Sequence, residues 1–556
     1  MRRLAIVGAL LVLAAIGFWR SLPPGPLALP APAADGARGA IHVHSRRSDG
    51  SGSPEQIAAA ARNAGLQFVI LTDHGDGTRT PSSPLYRGGV LLVDALEVSG
   101  NEGHVVALGL PKTPYPLGGD GRDIVEDIGR MGGMSIAAHP GSLKQELRWT
   151  EWSSPIHGLE WLNGDSESRD ESWFTLARVL LSYPFSPTGS LASVLDRPET
   201  VLRRWDALTA RRRVVAVAGA DAHARFDLTG DESGRGFGSL RIPGYESMFE
   251  AFSITATGVR FTGDADQDAQ ALLEALRGGH VYSTVDALAT PAAVSFRATR
   301  GAATWTAGDF VPDGGDLELR VDSNAPTGSR VVLIKDGDVL AEAQGSSLQR
   351  TVPGSRAVYR AEIQVPGTPG ERPVPWVVTN PIYVRAQDEM APDRGAASEQ
   401  ATLYENGEAR AWTIETSPRS KAAIDVARTI TGTELLMRWA IGGTDSESPY
   451  AAFVMPAGEL ISGYDRLTFT ARADRPMRVS VQFRLPNGDR WRRSVYVAQQ
   501  SREVTVFFDA VRPAGLTATR RMPLASVRDV LFVFDTVNAP PGASGQFRID
   551  DVKYGR

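Results

Sequence analysis

The sequence predicts a multidomain protein of mixed α/β and β class, a barrel-like α/β domain followed by two β-sandwiches. Three observations predict it. The chain has 556 residues, too many for one hydrophobic core. Over residues 40–290, short apolar runs alternate with helical patterns, and a polar group closes almost every apolar run. That is the arrangement of parallel α/β folds, which carry their sites at the C-terminal ends of the strands. Past about residue 290 the pattern becomes short strands with Gly and Pro turns, as in sandwiches.

Taken in order, Ile41–His44 reads as a short buried strand. Ser53-Pro54-Glu55-Gln56 starts a helix, with Ser as N-cap, Pro at the first position and Gln completing a capping box, and Gly65 ends it. Phe68–Leu71 is a continuous apolar strand ending in Thr72-Asp73-His74. Val90–Glu97 and His104–Leu110 are strands, Arg122–Met131 a helix, and Met134–His139 and Ile156–Leu162 strands. Glu199–Arg212 is a helix leading into the strand Val214–Asp221. Beyond it, Leu317–Val321, Val331–Ile334, Val339–Ala343, Ala357–Val365 and Trp376–Val384 form a sandwich of immunoglobulin-like size, with Lys335-Asp336-Gly337-Asp338 as a hairpin turn. A polar linker precedes a second group of strands: Arg466–Thr470, Met477–Phe483, Ser494–Ala498, Val504–Phe508, Val530–Phe534 and Gly545–Val552. Their number suggests a jelly roll. The domain boundaries expected are 1–20 (targeting segment), 21–37 (Pro-rich linker), 38–290 (α/β), 291–386 (first sandwich), 387–400 (linker) and 401–556 (second sandwich).

Composition narrows the chemistry. Apolar residues make up 42% and charged residues 22%, as in globular proteins, and the net charge of -5 gives no basic surface for a large nucleic acid. Cysteine is absent. That excludes disulfides, thiolate metal sites and cysteine nucleophiles, so a metal here is held by His and carboxylates, a ligand set that suits Zn, Mn or Fe. At the N-terminus, Arg2 and Arg3 precede an apolar run from Leu4 to Trp19 that Arg20 closes. The run reads as an export signal or an N-terminal membrane anchor, which places the rest of the chain outside the cytoplasm, periplasmic or secreted. Ala31-Pro32-Ala33 resembles a cleavage site but lies far from the run.

Six of the eight histidines fall at strand starts or ends with carboxylates beside them: His42, His44, His74, His104, His139 and His223. In a strand, residues i and i+2 point to one face, so His42-Val43-His44 presents two imidazoles side by side, and Asp221-Ala222-His223 repeats the spacing. Asp49 follows in a Ser/Gly-rich loop, and Glu97 ends a strand seven residues before His104. One histidine of this kind is usually structural, but six together point to a multinuclear metal site. His157 and His280 lack the pattern and read as structural. Neither a Gly-x-Ser-x-Gly elbow nor a Walker A or dinucleotide fingerprint is present.

The ordered set His-x-His, Asp49, Thr-Asp-His, Glu97, His104, Ala-His-Pro and Asp-x-His resembles the polymerase and histidinol phosphatase (PHP) superfamily over roughly residues 38–290. The resemblance implies a distorted (β/α)7 barrel with two or three divalent metal ions at its mouth. It implies the ligands His42, His44, Asp49, His74, Glu97, His104, His139, Asp221 and His223, with Glu97 bridging two metals. Asp73 is a direct ligand or a supporting residue. The sandwich after the barrel, with Trp376–Tyr383, is similar to the carbaryl-hydrolase branch, and the closing Ile549-Asp550-Asp551-Val552 to galactose-binding-like or carbohydrate-binding jelly rolls.

The activity implied is metal-dependent hydrolysis by a metal-bridging hydroxide, most often of a phosphomonoester or of a nucleotide or oligonucleotide phosphodiester. Asp49, His74, Glu97 and Arg225 are the catalytic candidates, and Arg47 and Lys144 stand beside Arg225 as cations able to hold a phosphate. A carbamate, amide or ester hydrolase on the same metals is the alternative. The second alternative is a non-catalytic envelope protein that binds glycan through the C-terminal domain, for which Trp412, Trp439, Tyr450 and Trp491 are the candidate platforms.

Overall fold

The computed structural model describes the chain except residues 1–5, 7–9, 11–12, 14–15, 31–35, 170–171, 225, 228–238, 241–242, 371, 389–393, 406–408, 431 and 516–520. It is mostly β-sheet with few helices. Two compact units divide it: one runs from the N-terminus to Met390 without residues 77–79 and 112–119, and the other comprises those two segments and residues 391–556.

The first unit is built on a ring of strands. β1 (Gly36–Val43) pairs in parallel with β2 (Phe68–Leu71), and β2 with β3 (Val90–Asp94). β4 (Leu96–Gly100) continues the line of β3 after a break at Ala95 and pairs antiparallel with β5 (Gly103–Leu108). β5 pairs antiparallel with β6 (Met134–Ala137), β6 in parallel with β7 (Gly158–Asn163), and β7 with β8 (Val215–Gly219). The ring closes where β8 returns to β1: Ala220 N–H donates to Ile41 O at 2.9 Å and His44 N–H to Ala222 O at 3.1 Å. The capping box forms at Ser53 and Gln56 ahead of α1 (Pro54–Asn63), while α2 (Gly121–Arg130) leads into β6.

Two expectations are corrected here. The strands are not all parallel, because Gly100 and Gly103 are joined by a tight hairpin (register Ser99 with His104), far shorter than a parallel crossover requires. Secondly, the sheet of the ring does not end at residue 290. β9 (Phe252–Thr257) pairs with β1, and β10 (Val281–Val285) pairs with β9 and then with Val377–Thr379 of the following sandwich. The open edge of the ring's sheet is thus covered by the sandwich rather than left to solvent. The strand expected over Trp376–Val384 is two short strands, Val377–Thr379 and Ile382–Val384, interrupted at Asn380-Pro381. Asn380 accepts from Ala216 N–H at 2.8 Å and donates to Val281 O at 2.8 Å, tying the interruption to β8 and β10. Buried Arg360, on the strand Ala357–Gln364, binds Asp206 at 2.7 Å and Glu362 at 2.5 Å.

Four helices complete the part used below: α3 (Trp173–Ser182), α4 (Pro187–Ala192), α5 (Glu199–Thr209) and α6 (Tyr245–Ala251). A seventh, α7 (Ala265–Gly278), buries Ala269, Leu272, Ala275 and Leu276 in one cluster with Ile41, Phe68, Ile70, Val106, Ile136 and Val217 of the ring.

The second unit is a β-sandwich. One six-stranded sheet contains Lys421–Arg428, Thr433–Ala440, Ser544–Gly555, Arg466–Ala473 and Arg502–Phe507, with Gln400–Tyr404 against Ser544–Gly555. The other orders Thr413–Thr416, Tyr450–Pro456, Asp529–Asp535, Met477–Arg484, Arg490–Val497 and Arg512–Pro513. Alternate residues such as Val479, Val481 and Phe483 enter a common core with Trp491, Phe532 and Phe547. Most of the N-terminal apolar run and the Ala31-Pro32-Ala33 site lie outside the described residues. Among the described residues no helix is long and apolar enough to cross a membrane.

Candidate metal centre

All nine residues that the sequence singles out as ligands lie among the described residues, and the ring brings their side chains to one place. The way it does so differs from a simple strand pleat. β1 ends at Val43, and His42 has φ 64°, in the left-handed region, where the register of β1 against β2 shifts. His139 (φ 45°) and Asp221 (φ 49°) are left-handed too, just past the ends of β6 and β8. Such backbone is costly for residues other than glycine and persists only where its surroundings impose it. Here hydrogen bonds between Ala222 and both His42 O and His44 N–H lock the first and last strand ends together. The i, i+2 spacing therefore succeeds through a bulge. The His42 and His44 rings lie 5.2 Å apart, and His44 stacks on His223 at 4.1 Å.

Glu97 and Asp221 sit at the middle. Glu97 Oε2 is 3.2 Å from Nε2 of both His42 and His44 and 3.4 Å from His74 Nδ1. Its Oε1 is 2.9 Å from His104 Nδ1 and 3.4 Å from His139 Nε2. Asp221 Oδ1 lies 3.4 Å from Nε2 of His42 and of His44, and Oδ2 lies 3.1 Å from His139 Nε2. Asp49 Oδ2 faces His223 Nε2 at 3.1 Å and His74 Nε2 at 3.6 Å. Ligand atoms fall into groups of metal-site dimensions: His42, His139 and Asp221; His42, His44 and Glu97; His74, Glu97 and His104; His44, Asp49, His74 and His223.

Four atoms at the centre, His42 Nε2, His44 Nε2, Glu97 Oε2 and Asp221 Oδ1, are buried without a hydrogen-bond partner. Buried polar atoms almost always find one, so four that face each other at 3.2–3.4 Å fit a cation between them. The electrostatics agree. Burial opposes charge on Glu97 and Asp221, yet the surrounding imidazoles hold both carboxyls well below their ordinary range. Asp49 is held low as well, against burial, by His223 and His74. Conversely, burial pushes His42 down, but Glu160, Asp221 and Glu97 outweigh it and raise its affinity for a proton. For His139, Asp221 and Glu97 overcome burial and lift the imidazole to about 9. The centre holds an excess of negative potential that a cation relieves.

One residue of the site is missed by the sequence reading. Glu160 of β7 is buried, with Oε1 2.5 Å from His42 Nδ1. Its Oε2 accepts from His139 N–H at 3.0 Å and from Asn163 Nδ2 at 2.8 Å. A carboxylate on Nδ1 leaves His42 Nε2 as the free lone pair, the support that metal-bound histidines usually have. A Cβ at Gly219 would stand 1.9 Å from Glu160 Oε1, so only glycine leaves the carboxylate its place. The available signal was a lone acid inside the apolar run Leu159-Glu160-Trp161-Leu162.

Asp73 braces the loop and faces no imidazole. Its oxygens accept from Ser45 N–H and Oγ, both at 2.7 Å, and from Ser48 Oγ at 2.8 Å. Arg47 pairs with Asp94 at 2.9 Å and with Asp73 at 3.6 Å, so its charge is shared between these two carboxylates. Arg225 lies outside the described residues, and Lys144 N–H donates to Ser142 Oγ at 3.3 Å. His157 Nδ1 accepts from Ser135 N–H at 3.2 Å, and His280 Nδ1 lies 2.9 Å from Ala307 O. Of the aromatic residues named as sugar platforms, Trp412, Trp439 and Trp491 are buried in the sandwich core and offer no face, and Tyr450 is half-buried. Sequence patterns did not show this, because a tryptophan in a half-buried strand reads alike on either face.

No family model matches the chain, and no curated protein matches it. Among solved structures, the family 11 carbohydrate-binding module of the cellulosomal cellulase Lic26A-Cel5E of Clostridium thermocellum is 15% identical, covering 29% of this chain and 97% of its own, with a TM-score of 0.25. The mannan-recognising module TmCBM27 is 14% identical over 30% of this chain and 99% of its own, TM-score 0.21. An exo-beta-agarase is 11% identical over 28% of this chain and 25% of its own, TM-score 0.21. Likeness this slight carries no functional conclusion.

Proposed function

We propose that this protein is an exported metal-dependent hydrolase of the polymerase and histidinol phosphatase type, acting on a phosphomonoester or a nucleotide phosphodiester. The ring of β1–β8 is then the distorted barrel of that superfamily. The observation that carries the reading is the convergence of four buried, unpartnered ligand atoms on His42, His44, Glu97 and Asp221.

His42, His44, Asp49, His74, Glu97, His104, His139, Asp221 and His223 would hold two or three divalent ions. Bound Zn, Mn or Fe would supply Lewis acidity and an activated water at neutral pH. Glu97 has one oxygen toward His42, His44 and His74 and the other toward His104 and His139, the disposition of a carboxylate shared between neighbouring ions. Burial sets the direction of approach. His42, His139 and Asp221 are enclosed, whereas Asp49, His74 and His223 reach solvent, so substrate enters at that end. Asp49 sits between His74 and His223 there and orients both imidazoles. Arg225, two residues beyond His223, is the cation assigned to the substrate phosphate, and Arg225→Ala with unchanged kcat/KM removes it from that role.

The test is turnover by the full chain loaded with Mn or Zn, offered a phosphomonoester, a phosphodiester and an aryl carbamate side by side, with His44→Ala as control. Metal-dependent phosphate release that the control lacks is the expected result. Carbamate cleavage alone moves the protein to the alternative of carbamate, amide or ester hydrolysis on the same residues. Turnover of none of the three, with metal bound stoichiometrically, overturns the phosphoesterase reading.

A further inference from the structure

α3 turns its apolar side to solvent. Ser172 Oγ caps the helix by accepting from Thr175 N–H at 3.2 Å, and of its ten residues only Ser182 is buried. Trp173 and Phe174 are each 67% exposed, Leu181 66%, and Phe185 just beyond the helix 58%. At 3.6 residues per turn Trp173, Phe174, Leu180 and Leu181 fall within one stripe, and Arg178 and Ser182 lie off it. Helices of folded domains normally bury such a stripe.

Neighbouring contacts show what meets it. The end of the N-terminal apolar run and the chain that follows it meet this helix pair. Phe18 packs edge-on against Phe185 at 5.5 Å, Arg178 Nη2 donates to Ser21 O at 3.5 Å, and Ser186 Oγ, at the start of α4, donates to Pro23 O at 2.9 Å. Phe18, near the end of the run from Leu4 to Trp19, therefore lies beside the exposed stripe. The described residues Ile6, Leu10, Leu13, Ile16 and Trp19 of that run are themselves 51–69% exposed. Among the described residues, apolar side chains of the run and of α3 are thus both bare.

We propose that α3 is a second lipid-contacting element, lying in the bilayer interface beside the N-terminal run, with Trp173, Phe174, Leu181 and Phe185 in the headgroup and acyl boundary. Length supports it. The sixteen residues of the apolar run 4–19 would extend about 24 Å if helical, short of the roughly 30 Å hydrocarbon core, and a segment of that length would draw the adjoining domain down onto the membrane surface. Trp and Phe are the side chains that sit best at that depth. The proposal does not depend on what the metal centre hydrolyses.

The chain has no cysteine, so a single one reports on its own position. Leu181→Cys and, as control, Arg203→Cys at an exposed position of α5 are labelled in the full chain with an environment-sensitive fluorophore. Each is mixed with vesicles of phosphatidylethanolamine and phosphatidylglycerol. The expected result is a blue shift and a several-fold brighter emission at position 181 only on adding vesicles, quenched by lipids spin-labelled near the headgroup, with position 203 unchanged. Water-like emission at 181 while the protein floats with the vesicles overturns the proposal. So does apolar emission at 181 before vesicles are added, which would mean that the N-terminal run covers α3, or, if it grows with protein concentration, a second copy.

Discussion

The ring of the first unit and the sandwich of the second bury opposite kinds of side chain. The sandwich core is a continuous cluster in which Trp491, Phe532 and Phe547 fill the space between two sheets. The mouth of the ring buries imidazoles and carboxylates, and leaves six of their atoms without hydrogen-bond partners, four of them facing one another at the centre. Desolvating such groups is costly and the backbone at His42, His139 and Asp221 is left-handed, an arrangement that a bound cation would stabilise. The sandwich core is apolar side chain packed on apolar side chain, with ion pairs such as Arg484–Glu415 and Arg472–Glu434 outside it. The difference teaches where to look for chemistry: where several unpartnered ligand atoms face one another, not where single indole N–H groups such as those of Trp412, Trp439 and Trp491 lie apart in an apolar core.

The largest effect expected in breaking that contrast is at His44. Removing it by His44→Ala lowers turnover of the metal-loaded protein by about three orders of magnitude, the loss of roughly 4 kcal/mol of metal-assisted stabilisation. Metal analysis shows fewer ions per chain, and unchanged metal content with full turnover would mean that the centre is elsewhere. The sandwich counterpart is Trp491→Ala, which costs about 3–5 kcal/mol of stability in thermal or urea unfolding and leaves metal content as it was. Glu160→Gln comes next. The variant binds metal about 10–100-fold more weakly, the usual cost of losing a residue that supports a ligand histidine, as read by competition with a chelator. Gly219→Ala produces the same loss by displacing the Glu160 carboxylate, and if both bind metal as tightly as the native chain, Glu160 does not orient His42.

Acid response sharpens the contrast, because residues 391–556 contain no histidine. In the ring, burial together with Arg277 and Arg212 pushes His157 down to about 4. Its folded pKa thus lies below the unfolded value of about 6.5, so the stability it contributes is complete above that pH. It is lost as pH falls toward 4, where the unfolded chain takes up the proton first, by about 2–3 kcal/mol. Urea midpoints compared between the native chain and His157→Gln isolate this share, and parallel pH profiles of the two would refute it. Least of all, Asp425→Ala on the sandwich surface breaks an exposed pair with Arg438 and changes stability by less than about 1 kcal/mol, which the same urea titration measures.

Much of the site was legible in the residues. The six histidines and the carboxylates beside them could be singled out because few residue types bind metal and because they fall at the ends of apolar runs, and the family resemblance implied the set of nine. Asp73 could be named but not given a role, since its serine partners at Ser45 and Ser48 become neighbours only in the folded loop. Glu160 was not found, because a buried acid in a strand looks the same whether it supports a ligand or pairs with an arginine, as Glu362 does with Arg360. β9, α7 and β10 were not anticipated, and without them the sandwich after residue 290 read as separate.

The sequence by itself determined the donor set, the absence of any thiol, and the alternation of apolar strands that makes a ring and a sandwich possible. These follow from residue type and local period, which require no knowledge of neighbours. Only the tertiary structure decided the rest. It placed left-handed residues at the strand ends so that Nε2 of His42 and His44 meet Glu97 and Asp221, and it turned Glu160 onto His42. It sealed the edge of β10 with Val377–Thr379, buried the tryptophans of the sandwich, and left the apolar stripe of α3 bare. Those outcomes depend on which backbone hydrogen bonds close the ring and which face of each element meets another, contacts between residues tens to hundreds of positions apart that no local pattern encodes.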